Sequence, residues 1–337
     1  MRVRCFVVVL LAGIAAVGVL AFRRPPQPRP DGPRKLEVAA TIFPLADWLR
    51  EVGGPDVEVH CLVSGGKNPH HFEPAIGDAV VVARARALFA AGLGLDEWAE
   101  RLAANSGRGA ELAFFETGSW IAPRAFQAGQ TGVVPLPAGE GAPGPAAPHR
   151  AEGVEVEAVH EHAHGNWDPH YWLDPLRAST VVVRMAGELG KLDPVHRDGY
   201  QQRCAAYVEK LKALNDEVAA LARATPSGAQ LVTFHDAYGY LLERLGIGLP
   251  AVIQSSPGVE PSVRDVGAAL RILKQTGQRA VFHEPADSGV AVQTIARELG
   301  LEVEVLDPLD TEASSAGKTY LERVRHDLKV LAGAVRK

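Results

Sequence analysis

The chain has 337 residues, of which 47% are hydrophobic and 22% are charged, and its formal net charge is -5 at pH 7. This apolar content can support packed cores, so the composition excludes a chain that is disordered over most of its length. The length favours two lobes over a single core. The small negative charge gives no basis for a nucleic-acid partner, and we expect none.

The N-terminal segment, residues 1–34, has the layout of an export signal. Arg2 and Arg4 precede an uninterrupted apolar run over residues 5–22, and a spacer rich in proline and arginine follows. Small residues near the end of the run fit a cleavage site, but the run is also about long enough to span a bilayer. An uncleaved anchor is therefore the alternative. Either form places the folded part outside the cytoplasmic membrane, in the periplasm or on the outer face.

Residues 35–192 are predicted to form a first lobe in which short strands alternate with helices. Strands are expected at LEVAAT, VEVHCLV and RALFAAG, and helices at residues 44–52, 76–85 and 95–104. Residues 122–166 interrupt this pattern with a tract rich in Gly, Pro and Ala and then an acidic, His-rich stretch, which predicts a long flexible loop. The chain becomes helical again from residue 176.

Residues 193–224 are predicted to form one long helix that links the lobes. Apolar side chains recur along it at three- and four-residue spacing, and about thirty residues at a rise of about 1.5 Å make a rod of about 45 Å. The second lobe, residues 225–337, alternates the strands AQLVTF, LPAVI, RAVFH and LEVEVL with single helices. Such strands pair in parallel, so the predicted fold class is α/β, with two (β/α) lobes of parallel sheets joined by a rigid helix.

Side chains that can bind a metal follow several of the predicted strands. His235 follows LVTF, Glu284 follows VFH and Asp307 follows LEVEVL; His70 lies in the loop after the second strand, and His170 begins the segment after the flexible loop. Each alone has an ordinary structural interpretation, since such residues commonly cap helices and turns. Ligands bind beyond the carboxyl ends of strands in open α/β sheets, so together they indicate a zinc or manganese site in the cleft.

Six motifs occur in the order KNPHHFEP, DPHYWLDP, FHDAYGY, SSPGVEPS, VFHEP and VLDPL. This series resembles that of the ZnuA/TroA-type metal-binding proteins, which serve ABC transporters for zinc and manganese, and it covers the chain from about residue 35 onwards. The resemblance implies two (β/α) lobes with the metal between them, and it implies a ligand set of His70, His170, His235 and Asp307. Members with histidine at the third position resemble zinc binders, and His235 holds that position here; three imidazoles also favour zinc over manganese.

Three positions depart from the family pattern. Asn68 stands where aspartate is usual, which puts a local turn contact in doubt. His71 beside His70 offers a second imidazole, although the P-H-x-F-E-P spacing selects His70. His283 occupies a position that is more often apolar, and its neighbour Glu284 is the alternative to Asp307 as fourth ligand.

The stretch VHEHAHGN carries three further histidines, His160, His162 and His164, inside the predicted flexible loop. Holding them at one fixed tetrahedral geometry would cost ordering entropy. Two interpretations stay open: a solvated tether, or the weak, fast-exchanging zinc trap that the family resemblance suggests.

The resemblance and the residues together predict a monomeric, extracytoplasmic zinc-binding protein, not an enzyme, that docks on a membrane permease of an ABC transporter. Manganese or iron is the alternative ion. A zinc hydrolase is a further alternative, but none of the predicted helices carries an HExxH motif, and a fourth protein ligand would close the zinc coordination shell. A third alternative is an adhesin or structural protein that the metal only stabilises. Cys61 and Cys204 are expected to be buried thiols rather than a disulfide.

Overall fold

The structure is a computed structural model that describes residues 35–126, 167–254, 259, 261–285, 288–312 and 318–335. The predicted export signal and the histidines of the predicted loop, His160, His162 and His164, lie outside these described residues. Within the described ranges, no helix combines the length and apolar content that a membrane crossing requires.

A four-stranded parallel sheet organises the first lobe. Its strands are β1 (Leu36–Ala40), β2 (Val57–Cys61), β3 (Ala87–Ala90) and β4 (Ala113–Glu116), in the order β2-β1-β3-β4. The helices that join them are α1 (Phe43–Gly53), α2 (Ile76–Arg84) and α3 (Glu97–Ala104). The three predicted strands and three predicted helices are confirmed. The sequence analysis missed β4, because its four residues alternate between half-buried and exposed and form no long apolar run.

A short antiparallel pair, β5 (Arg124–Ala125) and β6 (Trp167–Asp168), flanks residues 127–166 in the sequence. The prediction of a flexible loop over residues 122–166 was therefore wrong at residues 124–125. The pairing sets Arg124 directly opposite Asp168, and their side chains form an ion pair with 3.1 Å between Nη1 and Oδ2. This charged contact stabilises strands that are too short to give a periodic signal in the sequence.

Two helices form the spine of the molecule. Helix α4 (Pro175–Leu192) is capped by Asp174, whose side chain accepts a hydrogen bond from the backbone N–H of Leu176 at 3.1 Å. Helix α5 (Arg197–Ala224) is the predicted linking helix, preceded by a 3-10 turn over Pro194–His196. It packs against α1 and α4 with one face. That face consists of the predicted apolar positions Tyr200, Cys204, Tyr207, Leu211, Leu214 and Val218.

The second lobe contains the predicted alternation, but its strands form two separate parallel pairs. Strand β7 (Gln230–Thr233) pairs with β8 (Gly248–Val252), and β9 (Ala280–His283) pairs with β10 (Glu302–Val305). The helices of this lobe are α6 (Gly239–Leu245), α7 (Val263–Thr276), α8 (Val290–Leu299) and α9 (Tyr320–Val335).

A buried amide side chain connects the two strand pairs of the second lobe. Gln278 Oε1 accepts a hydrogen bond from the backbone N–H of Val232 at 2.7 Å, and Gln278 Nε2 donates to the carbonyl of Val232 at 3.1 Å. The side chain thus satisfies backbone groups that a continuous sheet would pair along a ladder. The α/β class with parallel strands is confirmed. The second lobe differs from the prediction because its described strands form two parallel pairs and not one continuous sheet.

One large apolar core contains residues of both lobes and of the two spine helices, and each lobe also has a smaller core of its own. Cys204 belongs to the large core and Cys61 packs against it, and both thiols are free. Burial raises the pKa of the Cys61 thiol to about 12. Cys204 is buried as expected, whereas Cys61 is half-buried.

Candidate metal centre

His70 reaches the cleft from a short 3-10 turn, Pro69–His71, in the loop that leaves β2. The side-chain oxygen of Asn68 accepts a hydrogen bond from the backbone N–H of His70 at 2.9 Å. The turn contact is therefore present, although asparagine stands where the family usually has aspartate. His71 is exposed. The cluster of potential metal ligands contains His70 and not its neighbour.

His170 follows β6 and is 1% exposed. Asp168 holds it at two points, because Asp168 Oδ1 lies 2.9 Å from the backbone nitrogen and 2.9 Å from the ring Nδ1 of His170. The indole N–H of Trp172 donates to the carbonyl of Pro308 at 2.7 Å and ties this segment to the second lobe. The ring orientation of His170 is therefore fixed from its Nδ1 side, and Nε2 faces the cleft.

His235 comes from the second lobe, directly after β7, and its ring is held in the same manner. Its Nδ1 lies 2.7 Å and 2.8 Å from the two carboxylate oxygens of Glu284, which follows β9. Glu284, the alternative fourth ligand in the sequence analysis, thus contacts the ring nitrogen opposite the one that faces His170. Its observed position is that of an orienting group for His235.

The three imidazoles converge through their Nε2 atoms. His170 Nε2 lies 3.3 Å from His70 Nε2 and 3.4 Å from His235 Nε2, and one ligand atom from each ring lies within 4.8 Å of the others. A tetrahedral zinc ion with Zn–N bonds of about 2.0–2.1 Å separates its nitrogen ligands by about 3.3–3.4 Å. Nitrogens that face one another at this distance can share a proton or bind one cation between them, and the spacing fits a zinc-sized ion.

The predicted fourth ligand, Asp307, is 2% exposed and lies in the turn after β10. Its Oδ1 accepts a hydrogen bond from the backbone N–H of Leu309 at 2.8 Å, and its Oδ2 lies 3.7 Å from Arg323. Among the residues that the structure describes, the close group of ligand atoms consists of the three histidines and does not include Asp307. Its role as ligand stays a prediction.

A second carboxylate of the same turn lies near the centre. Asp310 is buried, and burial followed by the charge of Glu284 raises the pKa of its carboxyl to about 7, while the nearby His235 opposes the shift. The sequence analysis did not consider Asp310. The available signal was the repeat of aspartate three residues apart in LDPLD, which can place two carboxylates on one side of a tight turn.

The turn that carries both aspartates is fixed by a buried arginine. Arg323 of α9 donates from Nη1 to the carbonyl of Thr311 and from Nη2 to the carbonyl of Glu312, each at 2.6 Å. Its guanidinium carbon also lies 3.8 Å from the ring centroid of Phe43 in the first lobe. The candidate carboxylates therefore lie on a turn that is held by an arginine of the second lobe, which itself contacts the first lobe.

Buried charges surround the three rings and determine the electrostatics of the centre. Burial lowers the pKa of His235, but the charge of Glu284 and its hydrogen bond outweigh that effect, and the pKa rises to about 9. Burial raises the pKa of Asp168 to about 7, although the hydrogen bond from His170 and the charge of Arg124 oppose the shift. A pocket with this many buried carboxyl groups favours a bound cation.

Comparison with protein families decides the classification. The family model for ZnuA, the periplasmic component A of the zinc-uptake complex, matches residues 38–334. The chain belongs to the ZnuA family. The description of this family concerns a zinc-uptake complex, in agreement with the interpretation of the sequence motifs.

The name of one curated relative of this ZnuA-family chain records zinc binding. The zinc-binding lipoprotein AdcA of Streptococcus pneumoniae serotype 4 is 26% identical over 329 residues, which make up 96% of this chain and 59% of AdcA. The chain thus spans about three-fifths of the length of this curated relative.

Solved structures share the architecture. The laminin-binding adhesin Lmb of Streptococcus agalactiae is similar with a TM-score of 0.71 and 27% identity, covering 89% of this chain and 100% of that chain. The solute-binding protein FpvC of Pseudomonas aeruginosa, solved in complex with Mn2+, has a TM-score of 0.70 and 27% identity, covering 90% and 99%. These likenesses confirm the two-lobed α/β fold.

Proposed function

We propose that this protein captures zinc in the three-histidine centre outside the cytoplasmic membrane and delivers it to the permease of an ABC transporter. The observation that carries the proposal is the separation of 3.3 Å and 3.4 Å between the Nε2 atoms of three histidines from distant parts of the chain. Imidazole is a preferred zinc ligand, and the name of the relative AdcA records zinc binding.

The proposed ligands are His70, His170 and His235, with Asp307 as the fourth. A carboxylate in the fourth position would close the coordination shell and leave no water on the metal for hydrolysis. Asp310 on the same turn is the competing fourth ligand, because its charge interacts with His235. Substituting each aspartate by asparagine separates them, since the true ligand causes the larger loss of zinc affinity.

Titration of the metal-free full-length chain with zinc, against a chromophoric chelator, tests the ligand set. We expect one tight site, and we expect His70→Ala to weaken it by more than about 100-fold, since even loss of an outer-shell partner costs about 10–100-fold. The matched control is His71→Ala, which removes the adjacent, exposed imidazole and leaves the affinity unchanged. Equal effects of the two substitutions would contradict the assignment.

Manganese is the second candidate ion. The FpvC structure contains Mn2+, and buried carboxyl groups such as Glu284 and Asp310 line this centre, which suits a harder cation. Competition between the two ions for the metal-free chain shows which ion it prefers. We expect zinc to displace manganese because three imidazoles face the ion. Elemental analysis of protein purified without added metal provides an independent check.

Delivery to a permease is tested in cells. Cells that depend on the full-length wild-type chain should take up radioactive zinc. Uptake should fall to background when the cells carry the His170→Ala variant in its place. Normal uptake with that variant would contradict the delivery role. We also propose that the protein acts as a monomer, which light scattering with and without zinc can verify.

A further inference from the structure

Arg124 lies where the strand pair β5–β6 meets helix α6 of the second lobe, and its side chain is 10% exposed. Its Nη1 lies 3.1 Å from Asp168 Oδ2, and its Nε donates to Glu243 Oε2 at 3.0 Å. Its backbone N–H donates to the hydroxyl of Tyr240 at 2.8 Å. One arginine therefore joins the strand pair that precedes His170 to a helix of the opposite lobe.

The carboxylate of Asp168 is engaged at both oxygens. Oδ1 accepts from the backbone and the ring Nδ1 of His170, while Oδ2 accepts from Arg124. The hydroxyl of Tyr240 also donates to the backbone carbonyl of Asp168 at 3.0 Å. Asp168 is fully buried, so loss of either contact would leave a buried carboxylate oxygen without that partner, which is costly in a low-dielectric interior.

Gly239, the first residue of α6, explains how the ion pair fits against this helix. A Cβ atom at position 239 would collide with Nη1 of Arg124 and lie 2.7 Å from Oδ2 of Asp168. These are the two atoms that form the ion pair. Any side chain at this position would therefore push the guanidinium and the carboxylate apart, whereas glycine leaves room for both.

We propose that Arg124 and Gly239 are positioning residues for zinc capture: the guanidinium, admitted by the glycine, locks Asp168 so that His170 presents Nε2 to the metal. The inference rests on the proposed function, since it concerns the same zinc ligand. Arg124 does not itself contact the metal position and acts through Asp168. Because it also contacts α6, the alignment of His170 and the contact between the lobes depend on one side chain.

The test compares the full-length wild-type chain with Gly239→Ala, Arg124→Met and Arg124→Lys. Gly187→Ala is the matched control, since a Cβ at this glycine of α4 meets nothing within 4 Å. We measure the zinc affinity by chelator competition, the absorption spectrum of the Co2+-loaded protein, and the melting temperature with and without zinc.

We expect Gly239→Ala and Arg124→Met to lower the zinc affinity about 10–100-fold, the usual range for partners that orient a metal ligand, and to shift the Co2+ spectrum. Arg124→Lys should fall between wild type and Arg124→Met, because lysine keeps a charged contact to Asp168 but cannot hold Glu243 at the same time. Gly187→Ala should match the wild type in all three measurements.

Unchanged zinc affinity and Co2+ spectrum in Gly239→Ala and Arg124→Met, with only a lower melting temperature, would make Arg124 a structural contact and overturn the proposal. If Gly239→Ala does not fold, the lysine variant decides by the same criterion, since it retains the charge. Absence of tight zinc binding in the wild-type chain would refute the proposed function itself, before any variant is compared.

Discussion

His170 and His235 face each other across the centre, and each ring is held at Nδ1 by a buried carboxylate. The closest distances are 2.9 Å to Asp168 and 2.7 Å to Glu284. The carboxylates differ in their other partners. Asp168 also pairs with Arg124, whereas no arginine or lysine in the described part of the chain forms an ion pair with Glu284.

This difference separates two tasks that one type of hydrogen bond can perform. On the Asp168 side, the guanidinium of Arg124 shares the negative charge, and the main effect on His170 is orientation. On the other side, Glu284 pairs with His235 itself. The charge and hydrogen bond of Glu284 outweigh the lowering effect of burial and raise the pKa of the His235 ring to about 9. Zinc must therefore displace a proton from His235 when it binds near neutral pH.

Removing a ring should have the largest effect. We expect His235→Ala to weaken zinc binding by more than about 100-fold, beyond the range for outer-shell partners. It should also reduce the proton release that accompanies binding near pH 7, because the proton of His235 is then no longer displaced. Calorimetry in buffers of different ionisation enthalpy measures both quantities. If the variant released as many protons as the wild type, the assignment of the proton to His235 would be wrong.

Replacing the two carboxylates by amides should have the next largest effect. Asp168→Asn and Glu284→Gln are each expected to lower zinc affinity about 10–100-fold. Their pH dependence should differ: without the charge of Glu284, the pKa of His235 falls, so zinc affinity changes less between pH 7 and pH 9 than in wild type. Parallel pH profiles for the two variants would show that the two sides of the centre are equivalent.

The pH dependence of the metal-free protein follows from several buried groups. Burial raises the pKa of Asp47 to about 6 and that of Asp236 to about 7, and the pKa of His235 rises to about 9 where Glu284 outweighs burial. The folded state then binds more protons than the unfolded chain between about pH 4 and pH 9. Its free energy of unfolding should therefore fall as pH rises through this window.

Zinc binding releases protons and should show the opposite pH dependence. Melting temperatures at pH 5.5 and pH 8, with chelator and with excess zinc, measure both effects. The metal-free protein should melt higher at pH 5.5, while the rise in melting temperature caused by zinc should be larger at pH 8. A metal-free protein that is more stable at pH 8 would contradict this account of the buried carboxyl groups.

The smallest expected effect comes from the His-rich segment. Deleting residues 151–165 removes His160, His162 and His164 and should leave the tight site unchanged, because none of the three proposed imidazole ligands is deleted. Any weak additional zinc binding should disappear with the deletion. Zinc titrations of both proteins by calorimetry make the comparison. Loss of the tight site would show that the segment contributes to the centre.

Local patterns predicted much of this molecule. The apolar spacing along α5 located its buried face, and short apolar runs located most of the paired strands. His70 and His235 follow predicted strands and His170 follows the predicted loop, and such element ends face the cleft of a two-lobed α/β protein. The resemblance to ZnuA/TroA-type proteins then selected these three histidines as ligands. These features depend on residues close in sequence or on general rules of topology.

The features that escaped prediction depend on contacts between distant residues. Arg124 and Asp168 pair across a separation of 44 residues, and their two-residue strands carry no periodic signal. Gln278 joins two strand pairs through a side chain, which no strand pattern encodes. Gly239 could be recognised as meaningful only once the ion pair beside it was known. Long-range polar contacts of this kind are invisible to propensity and spacing.

A crystal structure of the zinc-loaded full-length chain, with anomalous diffraction at the zinc edge, tests the central claim most directly. The account predicts one strong zinc peak at about 2.0–2.1 Å from Nε2 of His70, His170 and His235, with a carboxylate of the turn after β10 in the fourth position. A zinc ion bound elsewhere, or one that lacks any of these three nitrogens, would contradict it.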